Sequence, residues 1–326
     1  MIVTLTTNPS LDRTISLAAP LQVGEVQSAL GVREDAGGKG INVARVVAAA
    51  SRPTLAVLPL DPRDPFAGAL AATGIPTRTV AHDGATRANI TIADHAGTTT
   101  KLNLPGAAFT EEDAAALTAA VVAASEGASW LVLAGSLAPG LPVDYYVSVI
   151  EAVRAAWGPS APRIAVDTSG PALAAVVAAG RPDLIKPNDE ELAELTGRGL
   201  DAELELPDAV ARIARGLVPA SVAAALVTLG GDGAVLVTAD GAWHGTPPPT
   251  RVRSTVGAGD SSLAGYLLAE TTGAAPEERL RSGIRYGSAA ASLPGTQPPT
   301  PHDLSTGAVP VRLLSQDNPT TGGHRD

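Results

Sequence analysis

The stretch RSTVGAGDSSLAGYLLAE at 253–270 puts three small residues and one carboxylate at the start of a predicted helix. The first turn of a helix leaves backbone N–H groups unpaired and carries partial positive charge, so Gly257, Ala258 and Gly259 predict a cradle for an anion. Asp260 in the same turn could take the proton of a hydroxyl group as that group attacks a phosphate. The stretch therefore indicates phosphoryl transfer, although an ordinary helix cap explains the carboxylate equally well.

A second glycine-rich stretch, AGGKGIN at 36–42, precedes the helical pattern of Ile41–Ala50. Gly38 allows a ligand to approach the backbone closely, and Lys39 and Asn42 carry groups that bind a phosphate or sugar hydroxyls. A tight turn with a solvated lysine is the alternative explanation. The stretch is not a P-loop, because Lys39 lacks the GxxxxG spacing before it and a Ser or Thr after it.

Two single residues have side chains suited to a sugar phosphate. Asp12, which follows TTNPSL, could hold a pair of sugar hydroxyls, and Arg87 at the start of a predicted strand could pair with an anion. Most single charged residues are solvated surface groups without a ligand. Neither residue therefore carries a functional assignment by itself.

Two further segments have the composition of nucleotide-binding turns. LIKPNDEEL at 184–192 predicts a strand end, a turn and a helix start, in which Asn188 caps the helix and Glu191 is its capping-box partner. The same two side chains could instead hold a hydrated Mg²⁺ on the phosphates of a nucleotide. TLGGDGAVLV at 228–237 predicts a strand, a glycine turn and a second strand, which is either a hairpin or a backbone surface against a nucleotide.

The chain lacks the motifs of several other classes of catalytic and binding protein. No GxGxxG opens the first helix, no GxSxG occurs because position 134 is Ala, and the five histidines are scattered without an HExxH pair. The chain has no cysteine, which excludes disulfides and thiolate metal sites.

The composition narrows the class of protein further. Of the 326 residues, 45% are hydrophobic, so the chain can form a large core. The formal net charge is −10, which disfavours the basic surface of a nucleic-acid-binding protein. No apolar stretch approaches the roughly 20 residues of a membrane-spanning helix, and the start of the chain lacks the pattern of a signal peptide. We expect a cytoplasmic protein with neither nucleic-acid nor membrane partners.

Short apolar runs alternate with longer helical patterns along most of the chain. Strands are predicted at Ile2–Thr6, Trp130–Ala134, Ile164–Asp167, Asp183–Lys186 and Ala225–Leu229, and helices at 41–50, 111–125, 142–157, 171–179, 188–197 and 207–216. This alternation predicts an α/β fold in which helices cover both faces of a parallel sheet. Ligands of such sheets bind at the carboxyl ends of the strands, where polar residues cluster in this sequence.

Two regions, 12–35 and 86–104, alternate in polarity and predict a small separate sheet that forms a lid over the strand ends. The tail 305–326 is rich in Pro, Gly and Thr, which predicts a flexible segment. We therefore expect one domain over residues 1–304, with lid strands from the two regions, followed by this tail.

Taken together and in this order, the motifs resemble those of the ribokinase/PfkB family of sugar kinases. Gly38–Asn42 resembles the family's N-terminal glycine signature, Ser254–Asp260 its C-terminal signature, and Lys186–Glu191 its NxxE element. TTNPSLDR, AGGKGINVAR, AGSLAPGLP and STVGAGDS are similar to the branch that phosphorylates phosphosugars, in which a serine stands at the position of Ser254. The resemblance implies a ribokinase-like three-layer αβα sandwich with a mainly parallel sheet and a small β-sheet lid.

The resemblance also implies a role for each residue of the motifs. Asp260 is implied to be the base, and the amides of Gly257, Ala258 and Gly259 to form the anion hole. The implied binding residues are Asp12, Gly38 and Asn42 for the sugar, Lys39, Arg87 and Ser136 for its existing phosphate, and Lys186, Thr228, Gly230 and Gly233 for ATP. Asn188 and Glu191 are implied to organise Mg²⁺ through water, and K⁺ could bind near 254–256.

The implied activity is the ATP-dependent phosphorylation of fructose 1-phosphate to fructose 1,6-bisphosphate, in a homodimer joined through its lids. Tagatose 6-phosphate and fructose 6-phosphate are the alternative acceptors; Lys39 favours fructose 1-phosphate or tagatose 6-phosphate, whereas LPGAAFTEED at 104–113 resembles enzymes of the 6-phosphofructokinase kind. Two other classes stay open. Lys39 and Arg87 disfavour a kinase of uncharged sugars or nucleosides, and the intact Asp260 disfavours a non-catalytic sugar- or nucleotide-binding regulator.

Overall fold

A computed structural model describes residues 1–95 and 98–315 of the chain. The strands are β1 (Ile2–Leu5), β2 (Ser10–Leu17), β3 (Ala29–Gly37), β4 (Thr54–Leu60), β5 (Thr77–Ala81), β6 (Arg87–Ala93), β7 (Thr99–Asn103), β8 (Trp130–Ala134), β9 (Arg163–Asp167), β10 (Leu184–Ile185), β11 (Ala224–Thr228), β12 (Ala234–Thr238), β13 (Gly241–Gly245) and β14 (Val311–Leu313). The α-helices are α1 (Lys39–Ala49), α2 (Pro65–Ala72), α3 (Glu111–Ala124), α4 (Tyr145–Trp157), α5 (Gly170–Ala175), α6 (Asp189–Thr196), α7 (Leu206–Arg215), α8 (Ala258–Glu270) and α9 (Pro276–Ser292).

Ten of the described strands form one large sheet in the order β14-β13-β12-β11-β10-β9-β8-β1-β4-β5. The pairs from β5 to β11 are parallel, and β12, β13 and β14 are added at one edge in antiparallel orientation. The central strands β1 and β8 are buried along their whole length, as expected where helices cover both faces of a parallel sheet. The predicted α/β fold with a mainly parallel sheet is confirmed.

Successive residues of the central strands enter two different cores. Val3 and Leu5 of β1 pack with buried residues of α3, α4, α5, α6 and α7, whereas Ile2 packs with buried residues of α1, α8 and α9. This division follows from the two-residue period of a strand, which sends adjacent side chains to opposite faces. The sheet is therefore the middle layer of an αβα sandwich.

Local sequence explains several helix starts. Thr110 and Asp113 form a capping box at the start of α3, and Asn188 and Glu191 form a second one at the start of α6. Proline lies in the first turn of α7 and of α9. A backbone N–H at that position would have no partner within the helix, so its absence from proline costs no hydrogen bond. Among the helices of the described residues, none is long and apolar enough to cross a membrane.

A second, separate sheet has four described strands in the order β3-β2-β6-β7. Residues directly opposite each other share a face, so the Asp12–Asn89 pair lies on one face and the Ile15–Val32 and Ile90–Leu102 pairs on the other. One face of this small sheet is thus polar, and the other is mainly apolar apart from the Arg13–Glu34 ion pair. The predicted separate sheet is confirmed, and residues 96–97 between its last two strands lie outside the described part of the chain.

Sequence analysis did not predict the unit β4–α2–β5, which extends the large sheet beyond β1. Pro53 precedes β4 and Pro59 interrupts its strand pattern, yet Thr54–Val57, which lie between the two prolines, pair in parallel with β1. The helix predicted at 171–179 is α5, followed by a π-helical turn at Val176–Gly180.

The structure corrects the predicted flexible tail. Val311–Leu313 forms β14 and pairs with β13, and Leu314, which donates its N–H to Ala242 O at 2.8 Å, is only 2% exposed. Buried apolar residues and an available sheet edge outweigh the loop-forming composition around them. Residues 316–326 of the predicted tail lie outside the described residues.

Candidate active site

The carboxyl ends of the parallel strands open into two adjoining cavities. A smaller cavity of about 360 Å³ lies between the small sheet and the starts of α1 and α8. A larger cavity of about 700 Å³ lies between the β11–β12 turn, the segment 247–250 and α9. Asn188, Thr228 and Gly259 line both, so ligands bound in the two cavities would meet beside the start of α8.

Helix α8 begins where the two cavities join. Gly257 precedes it with a φ of 77°, in the left-handed region that favours glycine, and this conformation turns the chain sharply into the helix. Asp260 lies in the first turn, is 7% exposed, and accepts a hydrogen bond at Oδ2 from Asn42 Nδ2 at 2.8 Å. Within the described residues its partner is a side chain of another helix, so this carboxylate does not serve as a helix cap.

A second buried carboxylate, Asp167 at the end of β9, belongs to the same cluster. Its Oδ1 is 2.7 Å from Lys39 Nζ, and its Oδ2 is 3.2 Å from Lys186 Nζ. Lys39 is the first residue of α1, and Lys186 follows β10 directly. Two cations and two carboxylates, supplied by four different elements, are therefore gathered at the start of α8.

Burial dominates the ionisation of this cluster. Burial first and the charge of Asp167 second raise the pKa of Asp260, Lys39 and Asn42 partly offset both effects, and the resulting pKa is about 6. Burial would also raise the pKa of Asp167, but the ammonium groups of Lys186 and Lys39 hold it below its ordinary value. Burial would lower the pKa of Lys39, whereas the two carboxylates raise it above the ordinary value. Asp260 therefore holds a proton more readily than an exposed aspartate does.

The polar face of the small sheet forms the opposite wall of the smaller cavity. Asp12 Oδ1 accepts hydrogen bonds from Ser10 Oγ at 2.8 Å and from Asn89 Nδ2 at 2.9 Å. Burial raises the pKa of Asp12, although these two donors counteract it. Arg87 donates through Nε to Asn8 O at 3.2 Å and through Nη1 to Asn89 Oδ1 at 3.4 Å. Asn89 thus ties a carboxylate and a guanidinium to one wall.

Backbone and small side chains line the larger cavity. Thr228 ends β11, and the short 3₁₀ turn Gly230–Asp232 leads into β12. Gly233 has a φ of 94°, and a Cβ there would overlap Gly245 O, so only glycine fits. Sequence analysis left open a hairpin or a ligand-facing surface. The structure has the hairpin, and its turn is also a wall of the cavity.

The capping box of α6 lies at the edge of the cavities. Asn188 Oδ1 accepts the N–H of Glu191 at 2.7 Å, and Glu191 Oε2 accepts the N–H of Asn188 at 2.9 Å. Glu191 also lines the smaller cavity, and Asn188 lines both. The predicted capping box of Asn188 and Glu191 is therefore present. Part of each side chain also faces the cavities.

The two cavities bring together almost all of the predicted residues. The smaller one is lined by Asp12, Gly38, Lys39, Asn42, Arg87, Lys186, Glu191, Gly257 and Asp260, the larger one by Ala258, Gly230 and Gly233, and both by Asn188, Thr228 and Gly259. Lys186, which was expected beside the nucleotide, lies on the smaller cavity. Ser136 lines neither cavity, and its Oγ accepts a hydrogen bond from Asn8 Nδ2 at 3.5 Å.

Sequence analysis missed two residues of this site, Asn89 and Asp167. Asn89 follows Arg87 by two positions on β6 and so shares its face, which the strand period could have indicated. Asp167 was noted only as a polar residue at a strand end. Its role as the common partner of Lys39 and Lys186 depends on contacts between distant segments, which the sequence does not display.

The chain belongs to the pfkB family of carbohydrate kinases, whose sequence pattern matches residues 5–303. It is 34% identical to a 1-phosphofructokinase of Rhodobacter capsulatus, with 96% of this chain and 97% of that protein covered. It is 35% identical to the ATP-dependent 6-phosphofructokinase isozyme 2 of Escherichia coli strain K12, with 91% and 94% covered.

A solved structure agrees with the fold. Phosphofructokinase-2 from Escherichia coli, in a crystal structure in complex with potassium, superposes with a TM-score of 0.84 at 33% identity, covering 93% of this chain and 96% of that one. The family predicted from the motifs and the three-layer fold with its small sheet are both confirmed.

We predict that Asp260→Asn raises the free energy of unfolding by about 1–3 kcal/mol above pH 6. Because burial raises the pKa of Asp260 to about 6, the folded protein still holds the proton between about pH 4 and 6, where the unfolded chain has released it. Wild-type stability therefore falls as the pH rises through this window, whereas that of the neutral variant does not. Urea unfolding from about pH 4 to about pH 8 measures the difference.

The control for this prediction is Asp183→Asn. Asp183 lies beside the other end of β9, where its Oδ2 accepts the N–H of Ile164 at 2.8 Å, so the variant loses the same charge from a stabilising carboxylate. We expect this control to be no more stable than wild type. Equal stability of wild type and Asp260→Asn at pH 7 would contradict the burial argument.

Proposed function

We propose that this protein transfers the γ-phosphoryl group of ATP to the free primary hydroxyl of fructose 1-phosphate, forming fructose 1,6-bisphosphate. The observation that carries the proposal is the junction of the two cavities, where the buried Asp260 lies in the first turn of α8 beside Lys39 and Lys186. The 34% identity with the 1-phosphofructokinase of Rhodobacter capsulatus supports this acceptor.

Phosphoryl transfer needs a positioned hydroxyl, neutralisation of charge and a group that takes the hydroxyl proton. Asp260 takes that proton, since a pKa of about 6 leaves it ionised at neutral pH yet ready to accept a proton. The backbone amides of Gly257, Ala258 and Gly259 stabilise the charge on the group in transfer. Most of the rate enhancement then comes from positioning and charge stabilisation.

The smaller cavity has the groups that a ketohexose phosphate needs. Asp12 and Asn42 bind sugar hydroxyls beside Gly38, and Arg87 and Lys39 pair with the phosphate that the sugar already carries. These two cations favour a charged acceptor, because an uncharged sugar has no group to pair with them. Ser136, which lines neither cavity, has no part in this proposal.

The larger cavity accommodates ATP, with Thr228, Gly230 and Gly233 along the nucleotide. Lys186 lies on the adjoining smaller cavity against the start of α8, where the phosphates of the nucleotide would reach it. Mg²⁺ bound with ATP supplies charge neutralisation at the phosphates. Asn188 and Glu191 fit an ion held through water, since both are engaged in their capping box and the described residues contain no cluster of three His, Cys, Asp or Glu for direct ligation.

Two features of the proposal draw on the family and its relatives. K⁺ binds near the loop 254–256, an idea supported by the potassium complex of the related phosphofructokinase-2 from Escherichia coli. The reaction takes place in the cytoplasm, where ATP and phosphosugars are both present. Fructose 6-phosphate is the second candidate acceptor, favoured by the 35% identity with isozyme 2 of Escherichia coli, and tagatose 6-phosphate is the third.

We predict that ADP release with ATP and Mg²⁺ is fastest, by kcat/KM, with fructose 1-phosphate among fructose 1-phosphate, fructose 6-phosphate, tagatose 6-phosphate, fructose and ribose. The cations of the smaller cavity are the physical reason for preferring a phosphorylated sugar. A preference for fructose 6-phosphate or tagatose 6-phosphate would leave the proposed fold and chemistry unchanged but would identify a different substrate. Turnover of uncharged sugars alone would reject the roles of Lys39 and Arg87, and no turnover would favour a non-catalytic regulator.

We predict that Asp260→Asn lowers kcat by about 10²–10⁴ and leaves substrate binding largely intact, since the amide keeps the shape but accepts no proton. In the wild type, kcat/KM should fall as the pH decreases through about 6, where Asp260 becomes protonated. Steady-state assays from about pH 5 to 8 measure both effects. Turnover of the variant within threefold of wild type would reject the assignment of Asp260 as the base.

We also propose that two copies of the chain pair through the apolar face of the small sheet. Ile15, Val32, Ile90 and Leu102 lie on that face, and Val32 and Leu102 are 58% and 53% exposed. An exposed apolar sheet face of this kind is typical of an interface. A second copy would cover it while the polar face stays turned toward the cavity.

We predict that wild-type protein is a dimer and that Val32→Asp shifts it toward monomer, because a charge in an apolar interface loses its hydration without gaining a partner. Light scattering coupled to size-exclusion chromatography measures the mass. The control is Val143→Asp, which puts the same charge at a valine that is 50% exposed before α4 and should stay dimeric. A dimeric Val32→Asp would rule out this face.

A further inference from the structure

The carboxylate of Asp167 is the most deeply buried charge at the junction of the cavities. Asp167 ends β9 and has no exposed surface, and its two oxygens contact different lysines, Oδ1 with Lys39 at 2.7 Å and Oδ2 with Lys186 at 3.2 Å. Burying a carboxylate is unfavourable unless it is paired. Its burial therefore depends on both lysines.

The contacts of Asp167 differ from those of a structural carboxylate. Asp183, beside the opposite end of the same strand, accepts a backbone N–H from Ile164 and so supports the sheet. In the part of the chain that the structure describes, Asp167 has only the two lysine side chains as partners of its carboxylate, and Oδ2 has no hydrogen bond beyond the ion pair. The contacts of Asp167 thus order side chains and not backbone.

The two lysines reach the same carboxylate from different segments of the chain. Lys39 opens α1 and lines the smaller cavity with Asp260, whose charge acts on it. Lys186 Nζ lies 3.2 Å from the place where a Cβ of Gly259 would be, directly against the start of α8. A lysine side chain has a flexible stem of four carbons and samples many conformations unless its ammonium group is held in place. Asp167 removes that freedom from both.

We propose that Asp167 is a positioning residue that holds the ammonium groups of Lys39 and Lys186 on either side of the phosphoryl group in transfer. The inference rests on the proposed kinase activity. Lys39 then faces the acceptor and Lys186 the donor, and one buried carboxylate sets the distance between them. Both charges are in place before the substrates arrive, so no reorganisation is needed during the reaction.

The test compares kcat and KM of wild type, Asp167→Asn, Lys39→Met and the double variant, with ATP and the phosphosugar that wild type prefers. We expect Asp167→Asn to lower kcat on the order of 10²-fold, since misplacement of reacting groups by about 1 Å has that effect, and to change KM much less. Because Asp167 acts partly through Lys39, its replacement should lower kcat by a smaller factor in the Lys39→Met background.

Asp183→Asn is the matched control and should keep the kcat of wild type, because it removes a carboxylate next to the same strand but away from the lysines. Unchanged kcat in Asp167→Asn overturns the proposal, and so does an equal loss in both backgrounds, which would mean that Asp167 does not act through Lys39. Failure of the proposed kinase function is separate, since wild type itself would then turn over no phosphosugar.

Thermal unfolding of each variant establishes that it folds. If Asp167→Asn alone does not fold, the double variant, which removes a buried cation together with its anion, is compared with Lys39→Met. A further decrease of kcat through the released Lys186 is then expected. Identical kcat values for those two folded proteins would overturn the proposal.

Discussion

One ion-pair cluster at the carboxyl edge of the large sheet holds the site together. Asp167 is completely buried between Lys39 and Lys186, which come from segments almost 150 residues apart in the chain. A buried carboxylate of this kind is stable only while both partners stay in place. The cluster therefore requires that β9, α1 and the segment after β10 keep their mutual positions, and the sandwich provides that rigidity.

The burial that the lysines of this cluster offset also sets the ionisation of Asp260. Desolvation, together with the neighbouring charge of Asp167, raises the pKa of Asp260 to about 6. An ionised Asp260 at neutral pH is thus unfavourable for the folded protein, which is the common relation between stability and activity at a catalytic site. The helix start, the glycine turn and Asn42 hold the carboxylate in this environment.

The small sheet serves two purposes through its two faces. Asp12 and Asn89 on the polar face complete the smaller cavity, whereas Ile15 and Val32 on the opposite face remain available for a second copy of the chain. Strand alternation produces both faces from the same strands. The proposed acceptor site and the proposed interface between two chains therefore share one element, the small sheet.

The sequence by itself determined the parallel fold, the two glycine turns, Asp260 and the capping box of Asn188 and Glu191, because each of these depends on residues close together in the chain. It did not determine β4, β14, Asn89 or the pairing of Asp167 with both lysines. Those features arise where sheet edges are completed or where distant segments meet, so only the tertiary structure decided them. Ser136 illustrates the limit: its motif is intact, but packing leaves it outside both cavities.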